Sequence, residues 1–130
     1  MALELTIRVD KPTPARLVVG VHALVALNRM DFRALRERGR TMPRLYESGV
    51  RYEKEPWPRE VWQTALQVLA QGYGDCEDLV GWRVAELLEQ SKVARPKIVR
   101  ASRDYWHVVV EHGSGAIEDP SKRLGMKWDG

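Results

Sequence analysis

The stretch GYGDCEDLVGWRVAELL (Gly72–Leu88) contains Cys76, the sole cysteine among 130 residues, and its reading decides the fold. Two glycines precede the thiol, and Asp75, Glu77 and Asp78 surround it with carboxylates. Asp75 is a good N-cap, and Asp78 three residues on completes a pattern much like a capping box. A helix is therefore expected to begin at the cysteine. Cys76, Val80, Val84 and Leu87 follow at spacings of four, four and three, which places them along one side. A thiol at a helix N-terminus meets backbone N–H groups and the positive dipole end, which favour thiolate and offer an oxyanion site. Gly72 and Gly74 leave the approach free of side chains, so a substrate backbone has room to come close. The three carboxylates act in the opposite sense, raising the thiol pKa wherever they point at it.

Outward from this helix, LELTIRV (Leu3–Val9) alternates apolar and polar residues and reads as a half-buried strand. Thr13 offers an N-cap with Pro14 at the first helical position, and the nearly continuous apolar run to Asn28 suits a buried helix. DFRALRERG (Asp31–Gly39) reads as a second, short amphipathic helix capped by Asp31 and stopped by Gly39. Residues 40–58 are polar and punctuated by proline, as in a long surface connection. A helix is expected from about Pro58 to Gly72, with Val61, Ala65, Leu66, Val68 and Leu69 on its apolar face. KIVRAS (Lys97–Ser102) reads as a strand, and residues 104–121 as a β-hairpin around His112–Gly115, ended by Pro120. Helices first and a small antiparallel sheet after them make an α+β layout, with the thiol helix packed on that sheet in one domain spanning residues 1–130.

Composition bounds the function classes. The chain is 44% hydrophobic and 30% charged, ordinary for a globular protein, and a lone cysteine excludes an intrachain disulfide. No apolar run reaches the eighteen or so residues of a membrane span, and the first residues do not read as a signal peptide, so no membrane partner and a cytoplasmic site of synthesis are expected. The net charge of +3 is spread from Arg8 to Lys127, which speaks against a nucleic-acid partner. One cysteine without close His or Cys spacing argues against structural zinc, and no metal or cofactor is expected. Phosphate-binding loop, dinucleotide and serine-elbow motifs are missing from the sequence.

A thiol nucleophile needs a base and a group that orients the base. Of three histidines, His22 lies in the apolar helix and reads as a packed core residue, and His112 reads as exposed at the hairpin turn. His107 sits mid-strand in YWHVVVE, on one face with Tyr105 and Val109. A three-residue loop of His112–Ser114 would pair Glu111 with Gly115 and set Asp119 directly opposite His107. Cβ atoms so placed are roughly 5 Å apart, within reach for orienting an imidazole.

The segments GYGDCEDLVGWRVAELL, YWHVVVE and IEDPS resemble the transglutaminase-like superfamily, a branch of the papain-like thiol fold. LYESGVRYEKEP, GDCEDL with WRVAEL, and IEDPSKRLGM are closer still to small transglutaminase-like proteins of bacteriophages, from about Leu45 onward. The resemblance implies a papain-like core, with Cys76 as nucleophile, His107 as general base and acid, and Asp119 as orienting carboxylate. It implies acyl transfer from an amide in a protein or peptide substrate: hydrolysis, deamidation, or transfer to an amine through a thioester. Synthesis in a host cytoplasm is implied as well. The spacing from Cys76 to His107 is short for the superfamily, and for a side-chain oxyanion donor the sequence offers Gln71, Trp57 and Trp62 as candidates. The alternative to an enzyme is a virion structural or assembly protein that keeps the fold and has phage structural proteins as partners. A small nucleic-acid binder is a third reading, and it rests on the basic pI alone.

Overall fold

The computed structural model describes residues 6–8, 13–55, 61–102 and 105–127. Strand β1 (Thr6–Arg8) is the described part of the expected first strand. Helix α1 (Pro14–Glu37) begins as the sequence proposes: the Thr13 side chain accepts from the Arg16 N–H at 3.3 Å, and Pro14 takes the first turn. It then continues as one helix of 24 residues where two were expected. Neither glycine nor proline interrupts residues 28–32, so Asp31 is a buried mid-helix residue and not a cap. Gly39, at φ +73°, lies just past the helix as expected. His22 corrects another expectation, since it lies on the exposed side of α1.

The expected surface connection contributes to the core. A 3₁₀ turn at Leu45–Glu47 buries Leu45 completely, and β2 (Arg51–Tyr52) follows. Pro58, the expected helix start, lies outside the described residues. Val61 belongs to a strand, β3 (Val61–Gln63), which pairs antiparallel with β1. The helix α2 (Ala65–Gln71) starts only at Thr64, where a capping box closes it: the Gln67 side chain accepts from the Thr64 N–H at 2.8 Å. Gly72 ends it in the left-handed region, φ +90°. Strand β4 (Tyr73–Gly74) runs parallel to β2.

Helix α3 (Cys76–Glu89) starts at the Asp75 cap and buries Cys76, Val80, Val84 and Leu87 as read from their spacing. Strand β5 (Ala94–Ser102) starts before the expected Lys97 and takes in Pro96, which an edge strand tolerates. It pairs antiparallel with β6 (Tyr105–His112), which pairs in turn with β7 (Ile117–Glu118). A short helix, α4 (Pro120–Arg123), is capped by Asp119. The result is an α+β arrangement in which α3 packs on α1 and on the β5–β6 sheet.

Two contacts fix α1 in this arrangement. Trp62 is fully buried with its ring against Gly20: a Cβ at Gly20 would stand 2.2 Å from Trp62 Cζ3. Replacing a mid-helix glycine by alanine gains about 1 kcal/mol of helix propensity, whereas overpacking a core costs about 1–3 kcal/mol. With so short an approach to an indole the clash dominates, so Gly20→Ala lowers the urea midpoint; a raised midpoint would show that the ring is free to shift.

At the other end of α1, Glu89 of α3 accepts from Arg29 Nε at 2.6 Å, Arg33 Nε at 3.1 Å and Arg36 Nη2 at 2.7 Å. Burial alone would raise this carboxyl, but the three guanidinium groups outweigh it and hold the pKa at about 2. A carboxyl depressed in the folded state stabilises fully above its unfolded value of about 4.3, and the gain is lost as pH falls through the folded value. Glu89→Gln therefore removes part of the stability loss seen on acidification between about pH 5 and 2. Urea melts across that range check it; parallel curves for both proteins would contradict it.

Candidate thiol site

The start of α3 is built by two carboxylates. Asp75 Oδ1 accepts from the Cys76 N–H at 2.7 Å, and its Oδ2 accepts from the Glu55 N–H at 3.0 Å. Asp78 Oδ2 accepts from the Asp75 N–H at 3.2 Å, and its Oδ1 from the Gln63 N–H at 2.7 Å. The capping box thus ties the helix start to β3 and to the chain following β2. Burial pushes the Asp78 carboxyl up, and the two backbone N–H groups oppose that.

Cys76 is 8% exposed, and its S–H donates to Glu77 Oε2 at 3.0 Å. Burial pushes the thiol well above its ordinary pKa, and the charges of Glu77 and Asp75 push it further. The Val108 N–H beside the sulfur acts in the opposite sense. The expected bias towards thiolate is therefore overruled. A helix terminus supplies at most about 2 kcal/mol, or roughly one and a half pKa units, while full burial moves a group by up to about 3–5 units. The Cys76 N–H, expected to serve an oxyanion, is taken by Asp75. Gly74 opens no approach either. A Cβ there would lie 3.2 Å from Asp78 Cβ and Val68 Cγ1, so the absent side chain makes room for α2 and α3.

His107 lies on β6, nearly buried, with Nε2 2.9 Å from Asp119 Oδ2. Burial would raise the Asp119 carboxyl, but the bond and charge of His107 and the Lys122 N–H hold it below the usual range. An ionised Asp119 accepts from Nε2–H, and in the neutral imidazole this leaves Nδ1 without a proton. The pair forms through a different register from the one expected. The His112 N–H donates to Ala116 O at 2.9 Å, so the loop is Gly113–Gly115, and Glu111 faces Ile117. One step further along this ladder Asp119 stands across from Val109 and reaches His107 diagonally.

Cys76 and His107 are not hydrogen-bonded to each other; the sulfur lies beside the backbone of the next residue, Val108. The imidazole instead lines a cavity of about 330 Å³ together with Asp119 and Val109. His112, expected to be exposed, is partly buried, with Nε2 2.9 Å from Glu118 Oε1. Among the proposed oxyanion donors, Trp62 is a core residue, and Gln71 Nε2 donates to Gln63 Oε1 and to Tyr73 O. Neither is hydrogen-bonded to the sulfur, and Trp57 is outside the described residues. Asp75, Cys76 and Glu77 hold their ligating atoms within 4.8 Å of one another, the spacing of a metal site. One Asp75 oxygen serves the helix cap, the other accepts from the Glu55 N–H, and the S–H is given to Glu77, so hydrogen bonds already employ these groups.

Two features escaped the sequence reading. Tyr52, level with Gly74 in the β2–β4 ladder, has its hydroxyl pKa raised by burial and then by Asp75, Cys76 and Glu77, so it shares the surroundings of the thiol. Glu118 accepts from Tyr46 Oη at 2.5 Å and Arg83 Nε at 2.6 Å, besides its contact with His112, and its pKa falls to about 2 although burial opposes this. The Tyr46 ring also meets the Arg83 and Arg123 guanidinium groups at 4.9 and 3.9 Å. LYES, WRVAEL and IEDPSKR thus converge on one carboxylate beside the Asp119 turn.

Comparisons with protein-family models, curated proteins and solved structures found no match to this chain. Among the described residues, no helix is long and apolar enough to cross a membrane.

Since the Glu77 charge raises the thiol pKa, Glu77→Gln lowers it and increases the thiolate fraction at neutral pH. Alkylation of Cys76 by iodoacetamide should be slow in the wild type and rise roughly tenfold per pKa unit recovered. An unchanged rate would mean that burial alone controls the sulfur.

Proposed function

We propose that the chain is a thiol-dependent acyl-transfer enzyme of the transglutaminase-like, papain-like kind, acting on amide bonds of a protein or peptide. One observation carries this reading: His107, held by Asp119, sits on the strand whose next backbone N–H adjoins the Cys76 sulfur. Asp119 holds the imidazole by Nε2, so Nδ1 is the nitrogen available to take the thiol proton. The resulting thiolate attacks the amide carbon, and the imidazolium returns the proton to the departing amine. Water or an amine then releases the acyl group from sulfur. The S–H bond to Glu77 is the resting arrangement, and reaction requires that bond to give way to one with His107.

That same bond favours a second reading, a phage virion structural or assembly protein that retains the fold without catalysis. Its partners would be other virion proteins, and it would be found in the particle and not only in the host cytoplasm.

The readings separate on ammonia release, amine incorporation and cleavage measured over a peptide mixture. The enzyme reading expects Cys76→Ala and His107→Ala to lose about a thousandfold or more in rate with unchanged circular dichroism. Asp119→Asn keeps an N-capping side chain for α4, so its loss reports on the imidazole rather than on the helix. Activity that survives in Cys76→Ala, or an inactive wild type whose phage assembles normally with Cys76→Ala, would refute the enzyme reading.

A further inference from the structure

The cavity against His107 and Asp119 has a composition of its own. Val99, Val109, Ile117 and Met126 form its apolar walls, and two exposed cations, Arg100 and Lys122, stand on its lining. It lies on the sheet face opposite Val108 and Val110, which face the core. Cys76 does not line it. Its volume of about 330 Å³ is at the small end for ligand pockets, room for one side chain and the adjoining backbone.

Acyl transfer gives this placement a meaning. When sulfur bonds to the carbonyl carbon and the C–N bond breaks, the electron pair goes to nitrogen, which takes a proton from the His107 imidazolium. The nitrogen must therefore lie within hydrogen-bond reach of His107, while the acyl carbon lies at the sulfur. The first side chain beyond the nitrogen falls on the His107 side, away from Cys76. In the second step the acceptor enters at the same place and gives its proton to the imidazole. Its new bond to carbon forms, the C–S bond breaks, and the sulfur regains its proton.

We infer that this cavity binds an aliphatic side chain, of leucine or methionine size, on the amine side of the reacting amide, and that it disfavours a lysine-type acceptor. The inference rests on the thiol-enzyme reading. The walls explain the preference for an aliphatic group. A cationic side chain would meet Lys122 and Arg100, and the one carboxylate on the lining, Asp119, is already engaged by His107 and by the Lys122 N–H.

Leucinamide, glycinamide and lysinamide are suitable probes, titrated into the full chain while the methyl signals of Val99, Val109 and Ile117 are followed by NMR. In parallel, Cys76 is acetylated with p-nitrophenyl acetate, and the partition of the acetyl group between water and each amine is measured. Leucinamide should shift those methyls saturably and bind roughly tenfold or more tightly than glycinamide or lysinamide. It should capture the acetyl group over the same concentration range. Ile117→Trp, at a half-exposed position on the lining, should weaken leucinamide by a similar factor without loss of fold. No saturable methyl shift, or equal binding of lysinamide, overturns the assignment even if Cys76 is acetylated. Intact leucinamide binding with no acetylation of Cys76 overturns the thiol-enzyme reading, and the amine-side assignment with it.

Discussion

The Asp75 carboxylate is the point on which the arrangement turns. One oxygen closes the first turn of α3 through the Cys76 N–H, and the other holds the Glu55 N–H of the chain following β2. Asp78 completes the box from the opposite direction and adds β3 through Gln63. Three stretches of backbone are thereby fixed around the sulfur. The same charge that secures the helix also disfavours ionisation of the thiol, as does Glu77 beside it. A position that builds the site is thus one of the influences that keep it at rest.

This conflict gives the protein its chemical character. A thiol buried among carboxylates is a weak nucleophile, and a helix terminus is too small an effect to reverse that. On the proposed reading the histidine must therefore do more than orient: it must accept the proton as the sulfur leaves Glu77. The His107–Asp119 pair is already assembled for this, with Nε2 committed and Nδ1 left over. Glu118, anchored by Tyr46, Arg83 and His112, secures the turn that carries Asp119.

Local signals were legible in the sequence. The Asp75–Asp78 box, the Thr13–Pro14 start and the stops at Gly39 and Gly72 each depend on a few neighbouring residues, and the chain follows them. Asp31 shows the limit of such signals, because an aspartate inside an uninterrupted helix has the same local pattern as a cap. Val61–Gln63 is apolar enough for helix or strand, and its pairing with β1, remote in sequence, decides for strand. The hairpin loop lies one residue later than its composition suggests, since that composition suits either loop, and the His112 bond to Ala116 settles the register. Burial of the thiol, its bond to Glu77 and the absence of a bond to His107 come from tertiary packing and leave no periodic trace.

On the proposed reading, His107 takes over the sulfur when a substrate carbonyl is present. A crystal structure of the wild-type chain with a short peptide aldehyde tests it most directly, since an aldehyde forms a hemithioacetal with a competent thiol. The expected result is a covalent bond at Cys76, His107 Nδ1 within hydrogen-bond distance of the adduct, and Nε2 still held by Asp119. An unmodified Cys76 still bonded to Glu77 at saturating aldehyde, or an adduct that His107 does not reach, would contradict it.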